Sequence, residues 1–346
     1  MYYISRNYKS LFNAAGKAKT DCEVVFNKMG FKNLGFKQSS IPNSAVGTIK
    51  NFFGILFALL KLPRRSIIIT QYPNNKFRGM IVFFAKMKHC KIITLVHDVR
   101  ILKGRTKDVE AELKQIVNSE VIIVHNPSMK QWFLDQGVTI PIIVLGIFDY
   151  ISEKKPMQNA TIIPKDSYDI AYAGGFGDGK NSYIFDFDVL ENSNYNLRLY
   201  GVGFDPNKRK VVEDKSVVYY EGVFKSDEVA YKIESDFGLV WDGISTETCS
   251  GNYGEYLKFN NPHKTSLYLL CGLPIIIWDK AALADFVKTH NIGITVSNLK
   301  DLNKILGDLT SVDYLKMKQN VADIQIKVMQ GYFVETAINK ALSVIN

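Results

Sequence analysis

The sequence predicts an α/β protein built from two Rossmann-like, doubly wound domains that face each other across a cleft. Three observations carry this expectation. Short β-branched runs alternate with helical segments along the chain, the pattern of parallel sheets covered on both faces. The alternation lapses once, over a polar stretch holding Pro156 and Pro164, and then restarts. The length of 346 residues exceeds the size at which a single core stops growing. The expected division is a first domain over 1–150, a second over 151–325, and a C-terminal helix over 326–346 packing back toward the first.

In order, the pattern predicts a strand at 2–5, a helix at 15–29, a short strand at 33–36, a helix at 45–60 and the strand SIIIT at 66–70. A helix at 77–87 follows, then the strand KIITLV at 91–96, a charged helix at 108–118 and the strand VIIV at 121–124. A helix at 127–136 opens with Pro127, where proline suits a first turn, and a strand at 141–145 ends the first domain. The polar stretch at 148–167 is expected as the linker. Beyond it come a strand at 169–173, a glycine-rich loop, and strands at 196–200 and 217–220. A helix at 227–234, a strand at 237–240 and a long Gly/Asn/Ser loop precede a helix at 262–271 and the strand PIIIW at 274–278. A helix at 281–289, a strand at 293–296 and mostly helix complete the chain.

The hydrophobic share of 47% suffices for packed cores and excludes a disordered chain. A formal charge of +9 with a pI near 9.1 points to an anionic partner: a nucleoside diphosphate, a lipid headgroup or nucleic acid. The basic residues are dispersed without an interleaved aromatic platform, which argues against nucleic acid. Cys22, Cys90, Cys249 and Cys271 lie far apart with no metal spacing, as expected of reduced thiols in a cytoplasmic protein. The N-terminus shows no secretory pattern. The apolar run at 49–62 is too short to span a bilayer, and with Lys61, Arg64 and Arg65 beside it peripheral membrane contact is one reading and a solvated helix end the other.

Four segments carry candidate chemistry. The first, Ala173-Gly-Gly-Phe-Gly-Asp-Gly-Lys-Asn181, follows a predicted strand. Gly175 and Gly177 free backbone N–H groups to face an anion and Lys180 adds charge. Gly174, Gly179 and Lys180 match Walker A spacing, but Asn181 stands where Ser or Thr would hold magnesium. The second runs from Tyr253 through Asn261, Pro262, His263, Lys264, Thr265, Ser266 and Leu267. Asn260 or Asn261 is expected to cap a helix whose dipole, with His263 and Lys264, suits a diphosphate. The third is LVHDVR, placing His97 and Asp98 at the carboxyl end of a central strand, where they either supply a general base or hold the next loop. His125 and Asn126 follow the next strand, Asn126 equally as a helix cap. The fourth places Gly222, Val223 and Phe224 after a strand, either against a flat base or as an ordinary turn. Asp186 and Asp188 flank Phe187 in an apolar stretch rather than forming a metal-binding loop, so no metal and no cofactor are expected.

Residues 264–287, KTSLYLLCGLPIIIWDKAALADFV, resemble the donor domain of GT-B glycosyltransferases. With AAGKAKTDCE near the N-terminus, LVHDV and GEYLKFNNPHK, the chain resembles the bacterial β-1,6-galactofuranosyltransferase-like family. That family includes the glucosyltransferase that extends O-linked GlcNAc on streptococcal serine-rich-repeat adhesins. The resemblance implies a UDP-sugar donor carrying galactofuranose or glucose, a glycan or glycoprotein acceptor on the first domain, and a homo-oligomer. It places residues 262–267 on UDP, the loop from Asn13 through Gly16 to Lys17 at the cleft mouth, and Lys180 on the diphosphate. Glu247 and Glu255 have the spacing of a retaining carboxylate pair but sit in a Gly/Ser-rich loop, where the match is coincidental. A non-catalytic subunit recognising glycan or protein is the alternative reading.

Overall fold

The computed structural model describes residues 1–5, 14–36, 45–73, 77–156, 167–177, 179–185, 194–204 and 217–345. Asn13, residues 157–166 of the expected linker, Asp186 and Asp188 lie outside the described residues. The chain divides into two units: Met1–Ile151 with Gly331–Asn346, and Ser152–Gln330.

The first unit holds a parallel sheet in the order β2-β1-β3-β4-β5-β6. Its strands are β1 (Tyr2–Tyr3), β2 (Lys32–Asn33), β3 (Ile67–Tyr72), β4 (Lys91–Val96), β5 (Val121–Val124) and β6 (Ile142–Val144). Between them run α1 (Ala14–Lys28), α2 (Ala45–Lys61), α3 (Arg78–Met87), α4 (Val109–Ile116) and α5 (Pro127–Asp135). Paired isoleucines in the strands explain how both faces are covered, since successive side chains point to opposite sides. Ile69, Ile93 and Ile123 pack with Cys22, Val25 and Phe26 of α1. Their neighbours Ile68 and Ile92 meet Ile55 and Leu59 of α2 and Ile81 and Ala85 of α3, while Ile122 meets Met129 and Phe133 of α5. Each such buried side chain contributes roughly 1.5–3 kcal/mol of transfer free energy.

The last helix of the chain, Tyr332–Ile345, also belongs to this first unit. Val334, Ala337, Ile338 and Ala341 complete the core over α1. Asp149 accepts the first-turn N–H groups of Phe333 (3.2 Å) and Val334 (2.7 Å), so the loop after β6 caps this helix.

The second unit is a parallel sheet in the order β12-β11-β10-β7-β8-β9. The strands are β7 (Tyr168–Ala173), β8 (Tyr195–Tyr200), β9 (Val218–Gly222), β10 (Phe237–Val240), β11 (Ile275–Trp278) and β12 (Gly293–Val296). Its helices are α6 (Gly251–Tyr256), α7 (His263–Leu270), α8 (Ala284–His290), α9 (Leu302–Gly307) and α10 (Ser311–Gln330), which makes the chain's last helix α11. Both sheets agree with the doubly wound, Rossmann-like expectation. From β7 the chain winds outward through β8 and β9, then returns to β7's other side as β10. The order therefore reverses between β7 and β10, and ligands of open α/β sheets bind at the carboxyl ends flanking such a reversal.

Local differences from the sequence expectation have local causes. The helix expected at 227–234 is a single 3-10 turn, Val229–Tyr231, held by bonds from the N–H groups of Tyr231 and Lys232 to the carbonyls of Glu228 and Val229, 3.0 Å each. The loop before Pro262 contains the short helix α6, hidden by its glycines.

Candidate active site

The reversal point gathers two of the four candidate segments, the glycine-rich loop and the start of α7. Helix α7 starts beside the end of β10, and residues 264–270 are all buried. Pro262, not Asn260 or Asn261, takes the cap position: its φ of −60° and ψ of 127° stop the helix, and it supplies no side-chain bond to the first turn. Thr265 donates its N–H to the Pro262 carbonyl at 2.9 Å. Its hydroxyl, on a residue with no exposed surface, has no hydrogen-bond partner among the described residues. Ser266 is equally buried, Leu267 and Asn261 nearly so, and His263 is half-buried. A buried helix start with no side-chain cap presents N–H groups and positive dipole.

Lys264 is held in place by an acid that sequence reasoning missed. Its Nζ donates to Asp242 Oδ1 at 2.9 Å and lies 4.0 Å from the centroid of the Tyr172 ring. Asp242 is two residues beyond β10 and also accepts the Tyr172 hydroxyl at 2.8 Å. Burial lowers the Lys264 pKa from its ordinary value; Asp242 opposes this and Lys180 adds to it by repulsion. Lys180 is thus near enough to Lys264 for the two charges to repel. An acid just past the end of the FGLV strand was the available signal for Asp242.

The glycine-rich loop leaves β7 and is pinned along its length. Gly174 donates to the Tyr200 carbonyl at 2.9 Å and Phe176 to that of Val202 at 2.7 Å. A Cβ on Gly201 would sit 1.7 Å from the Gly174 carbonyl oxygen, so only glycine permits this approach. Asn181, which argued against an NTPase loop, proves to be the staple. It is buried, accepts the Gly177 N–H (3.1 Å), and donates to the Gly175 carbonyl and the Tyr172 hydroxyl (3.2 Å each). Tyr172 therefore ties Asn181 and the loop to Asp242 and Lys264. Tyr268 of α7 accepts the Ala173 N–H at 2.7 Å, linking helix and loop a second time.

Gly222 ends β9 with φ of 104°, its carbonyl accepting the Gly201 N–H at 2.8 Å. Val223 is exposed, and Phe224 lies 6.3 Å from the Tyr200 ring. These three belong to the β8–β9 side of the loop, beyond the cluster around Lys264. Glu247 pairs with Lys300 (3.0 Å) and Glu255 with Lys258 (2.6 Å), both at the surface. Among the described residues no three His, Cys, Asp or Glu side chains form a metal-holding group. All four cysteines are buried and free.

In the first unit, His97 follows β4. Its Nε2 meets Gln71 Oε1 at 2.7 Å, and its ring stacks on Phe148 at 5.2 Å. The Gln71 amide nitrogen donates to the Lys19 carbonyl (3.3 Å) and Glu23 (3.4 Å). With the amide so oriented, Nε2 of His97 is the donor and Nδ1 the ring's acceptor. Asp98 forms an ion pair with Lys103 at 2.5 Å. Gly16 and Lys17 lie in α1. Lys17 is buried, ion-paired to Asp21 and donating to the Ile151 carbonyl at 3.0 Å, so its ammonium anchors the end of the unit. Asn126 caps α5 by accepting the Met129 N–H at 2.9 Å. His125 is buried edge-on against Phe148, and burial pushes its pKa down to about 4.

Two family models match the chain: "Glucosyltransferase 3-like, N-terminal domain" over residues 1–147 and "Glucosyltransferase 3-like, C-terminal domain" over residues 170–341. Beta-1,6-galactofuranosyltransferase WbbI of Escherichia coli (strain K12) is 29% identical over 345 residues, spanning 99% of this chain and 98% of its own length. Glucosyltransferase 3 of Streptococcus gordonii is 23% identical over 338 residues, spanning 94% and 95%. Among solved structures, the apo form of lipopolysaccharide outer core galactosyltransferase WaaB has a TM-score of 0.64 at 12% identity, covering 99% of each chain. Anabaena HepE in complex with UDP-glucose has a TM-score of 0.59, also at 12% identity, covering 99% of this chain and 98% of its own. At such identity these structures speak for the fold. With the GT-B fold and both halves matched, the chain belongs to the glucosyltransferase 3-like family and is a glycosyltransferase.

Proposed function

We propose that this enzyme moves a hexose, galactofuranose or glucose, from a UDP-sugar to a hydroxyl group of a glycan or glycoprotein acceptor, without a metal. The single observation that carries the donor half is Lys264 at the buried, uncapped start of α7, beside the reversal point between β7 and β10. The names of the relatives support the sugar class, and the UDP-glucose bound to HepE supports the donor class. Lys264, Lys180 and the first-turn N–H groups of α7 take up charge on the departing diphosphate, which is where electrostatic stabilisation counts most. The buried Thr265 hydroxyl is a further donor to that group. Lys180, Gly175 and Gly177 face the same anion from the glycine loop.

For the acceptor half, His97 with Nδ1 as its basic nitrogen, or Asp98, takes the hydroxyl proton if the configuration inverts. The reading places the enzyme in the cytoplasm as a homo-oligomer. Calorimetry with UDP, GDP and dTDP, repeated with Lys264→Ala, tests the donor site. Tight binding of UDP alone, weakened more than about tenfold by the substitution, is expected from loss of a charge-assisted hydrogen bond. Equal binding by the variant would overturn the assignment. Undiminished donor hydrolysis after chelation of divalent cations checks metal independence.

A further inference from the structure

Between Val24 and His97 the sequence holds twelve of its 43 basic residues and none of its 34 acidic ones. The remainder, with 31 basic against 34 acidic, is slightly acidic, so the chain's whole positive excess resides in this segment. The same segment carries an uncovered apolar surface. On α2, Val46, Ile49, Phe52, Phe53, Phe57 and Leu60 are exposed, while Ile55, Ala58 and Leu59 turn inward. On the neighbouring α3, Phe83 and Met87 are exposed at 60% and 56%, one turn apart, while Ile81 and Ala85 are buried. Both helices pack inward on Ile68 and Ile92, so their exposed rows lie on the outer side of one layer.

The rim of this layer is cationic. Lys88 donates to the carbonyls of Leu59 (2.7 Å), Leu60 (3.0 Å) and Leu62 (2.7 Å), closing the end of α2. Lys61, Arg64 and Arg65 follow at once, all exposed, with Lys86 exposed at the end of α3. Lys61, Arg64 and Arg65 have no acidic partner among the described residues. No described helix is long and apolar enough to cross a membrane.

We propose that the outer face of α2 and α3 docks onto an anionic lipid surface, with the aromatic and aliphatic row entering the headgroup boundary and the basic rim meeting the lipid phosphates. Phenylalanine, leucine and isoleucine beside lysine and arginine on one helix face is the composition of an interfacial helix. A second copy of this chain is disfavoured as occupant because it would bring an equally acid-free segment against the first. Nucleic acid would match the charge but leave the apolar row uncovered.

The test is co-sedimentation of the full chain with vesicles of phosphatidylcholine alone, or with about one third phosphatidylglycerol, a content that gives a negative surface potential. Binding to the anionic vesicles only, weakened by salt, is expected. Lys61→Gln with Arg64→Gln should lower partitioning about 25-fold, at roughly fivefold per cation. Phe53→Ser with Phe57→Ser should lower it more than about tenfold. All four side chains are exposed, and an unchanged melting temperature verifies that each variant is folded. Failure of the parent to sediment, or equal sedimentation with neutral vesicles, overturns the proposal. So does insensitivity to either variant pair. Light scattering that shows Phe53→Ser with Phe57→Ser dissociating an oligomer, without vesicle binding by the parent, overturns it in favour of a second copy. None of these readouts involves glycosyl transfer.

Discussion

Lys264 and Asp242 support a double-mutant cycle that separates holding the site together from holding the donor. Their side chains are 8% and 10% exposed and meet at 2.9 Å. Lys264→Met strands a buried carboxylate with the Tyr172 hydroxyl still donating to it. Asp242→Asn strands a buried ammonium already repelled by Lys180. Breaking a buried pair from one side costs about 3–5 kcal/mol, whereas replacing both charges by neutral groups of similar shape costs far less. The double variant should therefore lose only about 1–2 kcal/mol, with a coupling of at least about 4 kcal/mol between the sites. Urea denaturation reads the stabilities. Calorimetry with UDP reads the other quantity: affinity should fall about tenfold or more in Lys264→Met and stay low in the double variant. Stability returns and binding does not. Additive stability losses would refute the ion pair, and a stable double variant that binds UDP as the parent does would refute the role of Lys264.

Two further outcomes follow from packing and burial. In His125 the folded-state pKa lies near 4, depressed by burial from 6.5. Its contribution to stability is complete above pH 6.5 and falls by about 3 kcal/mol as pH drops to 4. Denaturation midpoints between pH 7 and 4 should show this decline in the parent and a shallower one in His125→Gln. An identical slope in both would refute it. In Gly238→Ala the added Cβ would lie 2.1 Å from Cγ of Tyr268, and the ring cannot move without α7. The expected loss is about 2–4 kcal/mol, from overpacking and from the Tyr268–Ala173 bond, together with weaker UDP binding. Parent-like stability in chemical denaturation would refute it.

The fold was legible because its strands announce themselves. SIIIT, KIITLV and VIIV are rich in β-branched apolar residues since both sheet faces are covered, and no amphipathic alternation competes with that signal. The helix start at Lys264 was legible for a similar reason: polar residues abut a wholly buried helix. Its cap was not, because Asn260 and Asn261 are better cap formers than Pro262 and only the bend of the chain decides among them. Asp242 and the stapling role of Asn181 escaped notice for different reasons. Asp242 acts on a lysine 22 residues later, and Asn181 fastens a loop whose composition reads as loose. The role given to Lys17 came from the resemblance alone; its pairing with Asp21, one turn along the same helix, was legible in the i,i+4 spacing.

The route by which α11 rejoins the first unit has a consequence for biosynthesis. Chain elongation delivers the whole first sheet before residue 152, but the layer formed by Val334, Ala337, Ile338 and Ala341 arrives only after the second unit has been made. Until then Phe26, Ile93 and Ile123 lack the side chains that cover them in the finished protein, and Asp149 lacks the amides it caps. The domain made first is thus the one completed last. A stop codon after Gln330 would spare the second unit entirely and leave its partner with an open, adhesive face.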